Sequence, residues 1–240
     1  MGVKIHGVTM ENVGISTSSP FLLDLQSDFN FDDHYFANSN TGNGLRPFGP
    51  FTAYGHNGQY PLYTSAHMYT QSGKLQFSTG AVNGTTVGLS MGQVPLSAKS
   101  IFKTRANLSI NSNTQGGYFF FGQINTLNSV HPYVATQMAG LYFFIQTGEF
   151  GTQRTLQNGQ QERITLGIKG TAAGRWFDLE AKTDGSRLIL SIDGVVYANW
   201  SIGEISASSN LYNVVGFTNS NTQTDVIGPS LDSLSIVVQP

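Results

Sequence analysis

Apolar and polar residues alternate with period two through much of the chain, and clusters of Gly, Asn, Ser or Asp break the alternation about every ten residues. This pattern predicts short, half-buried strands joined by turns, and no segment reads as a long helix. Strands are expected over 21–31, 101–110, 118–124, 140–147, 163–169, 176–183, 187–193, 195–202, 214–218 and 231–238. In the second of these, Phe102, Thr104, Ala106, Leu108 and Ile110 share one face and should meet a core, while Lys103, Arg105 and Asn107 should meet water. Asp184-Gly185 and Asp193-Gly194 supply residue pairs that tolerate positive φ in two-residue hairpin loops, so strands 176–183, 187–193 and 195–202 should form a meander. Tyr118 to Phe121 and Tyr142 to Ile145 are apolar at every position. They read as central strands covered on both faces, or covered on one face and in a subunit contact on the other. Residues 38–58, rich in Gly, Asn and Pro, read as a long loop or a pair of loops on the sandwich rim.

The length of 240 residues suits one β-sandwich. Residues 1–19 read as a leader or arm able to add one short strand, and residues 20–240 as a single domain. Only 11% of residues are charged, and 12 basic against 14 acidic residues leave a net charge of -2 with no basic run, which argues against nucleic acid as a partner. The absence of cysteine excludes disulfides and thiolate metal sites. The first 19 residues, with Lys4 and Glu11, lack the apolar stretch of a secretory signal, and no segment is long enough to span a bilayer, so no membrane partner is expected. A surface built from uncharged hydrogen-bonding groups suits a neutral partner.

The run from Gly174 to Gly194 opens a strand at Trp176, turns at Asp184-Gly185 and closes the next strand with Ile192-Asp193-Gly194. It resembles a segment shared by laminin-G-like, pentraxin-like and other concanavalin A-like sandwiches. Phe29-Asn30-Phe31-Asp32-Asp33 is similar to the opening strand of that superfamily, and Ser230 to Ile236 to its closing strand. The resemblance implies an all-β, two-sheet antiparallel jelly roll with both termini in one sheet. Lectins, hydrolases, lyases and structural modules all use this fold, so function has to be argued from a site.

The laminarinase-type glucanases of this superfamily place Glu, Asp and Glu at alternate positions of one strand, and retaining hydrolysis needs two such carboxylates about 5–5.5 Å apart. Here Asp178 and Glu180 alternate, but Trp176 precedes them and Lys182 follows. The series is broken, and both residues read as the solvent face of a strand whose inner face is Phe177, Leu179 and Ala181. Glu149 reads as a turn residue. A jelly roll has no strand-to-helix turn to present a serine nucleophile, so no hydrolytic triad is expected. His34, His56, His67 and His131 lack zinc-ligand spacing. No cofactor is expected. Calcium stays open, since Asp28, Asp32, Asp33 and Asp232 would converge if the termini pair; exposed aspartates at strand ends are the alternative.

The segment from Tyr54 through His56, Asn57, Gln59, Tyr60 and Tyr63 to Tyr69 interleaves flat rings with amide and imidazole groups. Sugars are held by an aromatic ring under their C–H face and hydrogen bonds around their edge, and this segment has both ingredients. Sheet-edge or interface packing of the tyrosines is the alternative. Trp176, out of phase with the apolar set of its strand, and Trp200, near an apolar run, are further candidate platforms, with packing at the sandwich end as the alternative for both. The candidate ligand residues are therefore Tyr54, His56, Tyr60, Tyr63 and Trp176. Together these features point to a non-catalytic, lectin-like, carbohydrate-binding component of a bacteriophage particle, located in the virion or outside cells and assembled as a homo-oligomer. Its expected partners are a polysaccharide or cell-surface glycan and other virion proteins. Two alternatives are a polysaccharide hydrolase or lyase with a non-standard active site using Asp178 and Glu180, and a purely architectural virion protein.

Overall fold

The computed structural model describes residues 4–5, 8–9, 21–24, 44–48, 51–56, 67–71, 74–78, 86–109, 117–125, 137–171, 173–206, 211–219 and 227–238. Its strands are β1 (Lys4–Ile5), β2 (Val8–Thr9), β3 (Phe21–Asp24), β4 (Gly44–Phe48), β5 (Phe51–His56), β6 (His67–Gln71), β7 (Lys74–Ser78), β8 (Thr86–Val94) and β9 (Ser100–Leu108). They continue with β10 (Tyr118–Ile124), β11 (Met138–Phe144), β12 (Glu149–Thr155), β13 (Gln161–Lys169), β14 (Arg175–Thr183), β15 (Arg187–Ile192), β16 (Val195–Ser201), β17 (Leu211–Thr218) and β18 (Ile227–Val238). Among the described residues the helical content is one 3-10 turn at Ile202–Glu204, and no helix is long and apolar enough to cross a membrane.

Apart from the small β1–β2 ribbon, the strands form two antiparallel sheets. Sheet I runs β13-β12-β11-β10-β17-β8-β5-β4, and sheet II runs β16-β15-β14-β9-β18-β7-β6, with β3 also paired to β18. Alternation explains the layering. In β9, Phe102, Thr104, Ala106 and Leu108 are buried while Lys103, Arg105 and Asn107 face away from the core, as the pattern predicts. In β14 the inward set is Phe177, Leu179 and Ala181. The inner faces meet through Phe102 stacked on Phe121 at 4.6 Å between centroids, and through Phe150 edge-on to Phe177 at 4.8 Å. Trp200 belongs to the same core. β10 and β11 lie inside sheet I and are buried on both faces, which is why their sequences carry no alternation.

Several expectations are corrected. Residues 38–58 are neither one loop nor a pair of loops, because β4 and β5 form an antiparallel hairpin within them. Glu149 is not a turn residue; it opens β12 and pairs with Lys169. The N-terminal strand beside β18 is Phe21–Asp24, in register with Ile236 to Ser233, whereas the expected opening strand at Phe29 to Asp33 lies outside the described residues. An N-terminal and a C-terminal strand therefore share a sheet, through Phe21–Asp24, which lies within the strand expected over 21–31.

The two predicted hairpin turns differ. Asp193 and Gly194 have φ of 50° and 78°, so both central residues are in the left-handed region that a tight hairpin between Ile192 and Val195 requires. In the other turn Asp184 precedes the loop, and its carboxylate accepts hydrogen bonds from the Ser186 amide, the Ser186 hydroxyl and the Arg187 amide. The Ser186 amide leads, followed by its hydroxyl and the Arg187 amide, in holding the Asp184 carboxyl below its ordinary value of 3.8. A depressed carboxylate contributes stability that is present above the unfolded value and is lost as pH falls through the lower folded one. Thermal midpoints followed from neutral pH to below 3.8 should therefore fall further for the wild type than for Asp184→Asn, whose amide oxygen accepts without titrating. Equal acid sensitivity of the two proteins would show that the turn does not depend on this charge.

Candidate functional site

The outward face of sheet I carries a second apolar layer made of Tyr54, Tyr118, Phe120, Ile124, Met138, Tyr142 and Val214. The Tyr118 and Tyr142 rings stack at 5.7 Å, and Phe144 packs edge-on to both at 5.2 and 5.0 Å. Tyr118 donates its hydroxyl to Gln153 Oε1 at 2.8 Å. Tyr118, Phe120 and Tyr142 are at most 3% exposed, so none offers a free ring face to a sugar.

Tyr54, the first of the predicted sugar-stacking residues, belongs to this layer and is 1% exposed. Its buried hydroxyl has no hydrogen-bond partner among the described residues, and burial pushes its phenol well above the ordinary tyrosine range. A stacking platform has to be open to its ligand, so the reading of Tyr54 as one is corrected to packing. His56 closes β5, in register with Thr86. Tyr60 and Tyr63 lie outside the described residues, as do Asn57 and Gln59.

Trp176 is elsewhere. Phe177 faces the core, so half-buried Trp176 lies on the outward face of sheet II, on the side of the sandwich opposite to Tyr54. The two predicted ligand residues whose side chains are described, Tyr54 and Trp176, thus lie on different outer faces. The residues it gathers around Trp176 are Lys74 from β7 and Arg105 from β9, both near the indole ring. No local signal marks them, because they come from strands far apart in sequence.

Several of the described carboxylates are engaged. Asp178 and Glu180 point away from the core, as the alternation predicts, and pair with Arg105 at 3.9 Å and Lys103 at 2.8 Å. Glu149 pairs with Lys169 at 3.4 Å. Asp193 pairs with Arg175 at 2.9 Å and accepts from the Asp178 amide. Arg154 donates to both Glu162 and Glu204, at 2.5 and 2.7 Å. Burial opposes charge on Arg154, but the hydrogen bonds to Glu204 and Glu162 outweigh it and raise its pKa. This cluster is an ion clamp, unlike the apolar pocket that a carboxylic general acid requires.

Ser90 sits in Gly88-Leu89-Ser90-Met91-Gly92, which has the spacing of a nucleophile elbow. It lies in the middle of β8 and is 1% exposed, so it cannot serve as one. Among the described residues no group of three metal-ligating side chains comes together; Asp28, Asp32 and Asp33 lie outside them, whereas Asp232 is in β18.

No protein-family profile and no curated relative matches the sequence. Solved structures do match. The pseudo β-1,3-glucanase of Mycobacterium tuberculosis, also described as an immunostimulatory antigen, superposes with a TM-score of 0.57 at 10% identity, over 92% of this chain and 98% of its own. The laminarinase of Rhodothermus marinus gives 0.56 at 9% identity, over 86% and 98%. A glycoside hydrolase family 16 endo-glucanase of Bacteroides ovatus gives 0.54 at 10% identity, over 90% and 99%. These neighbours correct the expected lectin-like virion role: they are glucanases and a pseudo-glucanase, and the hydrolase alternative fits them better. They include both active enzymes and a pseudo-enzyme, so the likeness leaves catalysis by this chain undecided. With two antiparallel sheets in register and near full-length overlap with these proteins, the chain has the concanavalin A-like jelly-roll fold.

Proposed function

We propose that this chain acts on polysaccharide as a glycosidic-bond hydrolase of the glucanase jelly-roll type, with an acid and base arranged differently from one alternating Glu-x-Asp-x-Glu strand. The observation that supports this reading is the near end-to-end match of its two sheets to those of glucanases. Retaining or inverting hydrolysis needs two carboxyl groups flanking the scissile bond. Asp178 and Glu180 are not taken as the pair, since both stand on the open outer face of sheet II and Glu180 is paired with Lys103. The aspartates to test are Asp24, Asp28, Asp32, Asp33 and Asp225.

The test is release of reducing ends from β-1,3-glucan and mixed-linkage glucan, with each of these aspartates changed singly to asparagine. Turnover by the wild type that one or two of the substitutions lower by about a hundredfold or more, the scale of a lost general acid or base, would establish the reading and locate the pair. Turnover that survives all five substitutions would show that the pair lies elsewhere.

A second reading, binding without cleavage, is favoured by one observation: no strand among the described residues of sheet I carries alternating carboxylates. Retardation of the protein by glucan in native gels without released sugar would select it. If neither glucan is bound or cleaved, both readings fail.

A further inference from the structure

The pairing registers run Trp176–Asn107–Ser230–Gln76 in one row across β14, β9, β18 and β7. Two strands separate β14 from β7, so their backbones are about 14 Å apart at ordinary strand spacing. Lys74 Nζ, two residues before Gln76 on β7, is nevertheless 4.7 Å from the Trp176 ring centroid. Side chains meet across that gap only if both lie along the sheet, so the indole is laid over the row as a platform. Arg105 Cζ, from β9, is 5.7 Å from the same ring. Beside the platform the Ser230 hydroxyl donates to Gln76 Oε1 and Gln76 Nε2 donates to the Pro229 carbonyl, while Asn107 Oδ1 is buried without a hydrogen-bond partner among the described residues.

The charges here are poorly matched. Among the described residues Lys74 has no carboxylate partner, and its ammonium contacts the indole instead. Arg105 is 50% exposed, and its partner Asp178 is 3.9 Å away, the longest ion pair among the described residues. A flat ring, two underused cations and a fringe of hydrogen-bonding groups therefore share one surface.

We infer that this patch on the outer face of sheet II binds a carboxylated polysaccharide, with a uronate ring stacked on Trp176 and its carboxylate held by Lys74 and Arg105. An exposed cation–π contact is worth only about 0.5–1 kcal/mol, so an incoming sugar displaces Lys74 from the ring at small cost and its carboxylate recaptures the ammonium at the ring edge. The site goes beyond the glucan reading above. It uses none of the aspartates tested for glucan cleavage and another ligand charge.

Affinity electrophoresis of the full chain in polygalacturonate, with laminarin as the neutral control, tests it. The wild type should be retarded by polygalacturonate, and the retardation should weaken with added salt, as expected for exposed charges. Trp176→Ala and the double variant Lys74→Gln/Arg105→Gln should each weaken binding by about tenfold or more, with thermal midpoints near that of the wild type. The double variant changes only side chains on the outer face, so it decides the matter if Trp176→Ala fails to fold. No retardation by polygalacturonate, or retardation that the double variant leaves unchanged, overturns the proposal. Laminarin and polygalacturonate binding to the same Trp176-dependent site with equal strength overturns it too. Failure of laminarin to bind or be cleaved, with polygalacturonate still retained, would count against the glucan reading alone.

Discussion

Replacing Phe121 by alanine should destabilise the fold by about 3–5 kcal/mol, the range for removing a large aromatic from a packed core. Phe121 is fully buried, and its ring lies nearly parallel to Phe102, 13° from coplanar, so the stack joins β10 of sheet I to β9 of sheet II. Both strands are interior to their sheets, so the surroundings cannot collapse freely into the vacated space. Urea unfolding would measure the loss as a lower midpoint with little change in slope. A loss under about 1 kcal/mol would mean that this pair does not bind the sheets together.

A comparable effect is expected from adding one methyl group at Gly140. Gly140 is directly opposite Gly122 in the β10–β11 pair, and a Cβ at Gly140 would stand 2.5 Å from the Phe121 carbonyl oxygen and 2.9 Å from the Gly122 Cα. Both obstacles are backbone, which cannot rotate aside. Ordinary overpacking costs about 1–3 kcal/mol, and a clash with the backbone of a central strand pair should reach the top of that range or pass it. Gly140→Ala should accordingly unfold at markedly lower urea than the wild type, or accumulate as insoluble protein. A soluble variant with an unchanged midpoint would mean that the strands separate at this point at little cost.

The sandwich class and several strand faces were legible in the sequence because period-two alternation is local. Phe102, Thr104, Ala106 and Leu108 turn inward in β9 as read, and Phe177, Leu179 and Ala181 do so in β14. The broken carboxylate series at Asp178 and Glu180 was equally readable, because neighbouring positions on one strand decide it. β4 escaped notice because Pro47 lies inside it, and a residue without an N–H donor usually argues against a strand. β4 is the outermost strand of sheet I, where a missing donor leaves no central ladder broken. β12 was missed because Gly151, Gln153 and Arg154 give it little apolar alternation.

By itself, then, the sequence determined an all-β chain without disulfides, the inward and outward faces of its clearest strands, and the interruption of the carboxylate alternation at Asp178 and Glu180 by Trp176 and Lys182. Only the tertiary structure decided that Tyr54 is packed away on one side of the sandwich while Trp176 lies on the other, beside Lys74 and Arg105. The physical reason is that strand direction and face follow from adjacent residues. The neighbours of a side chain across a sheet are instead set by the order in which distant strands pair, and in sheet II β14, β9, β18 and β7 lie side by side although they are scattered along the chain.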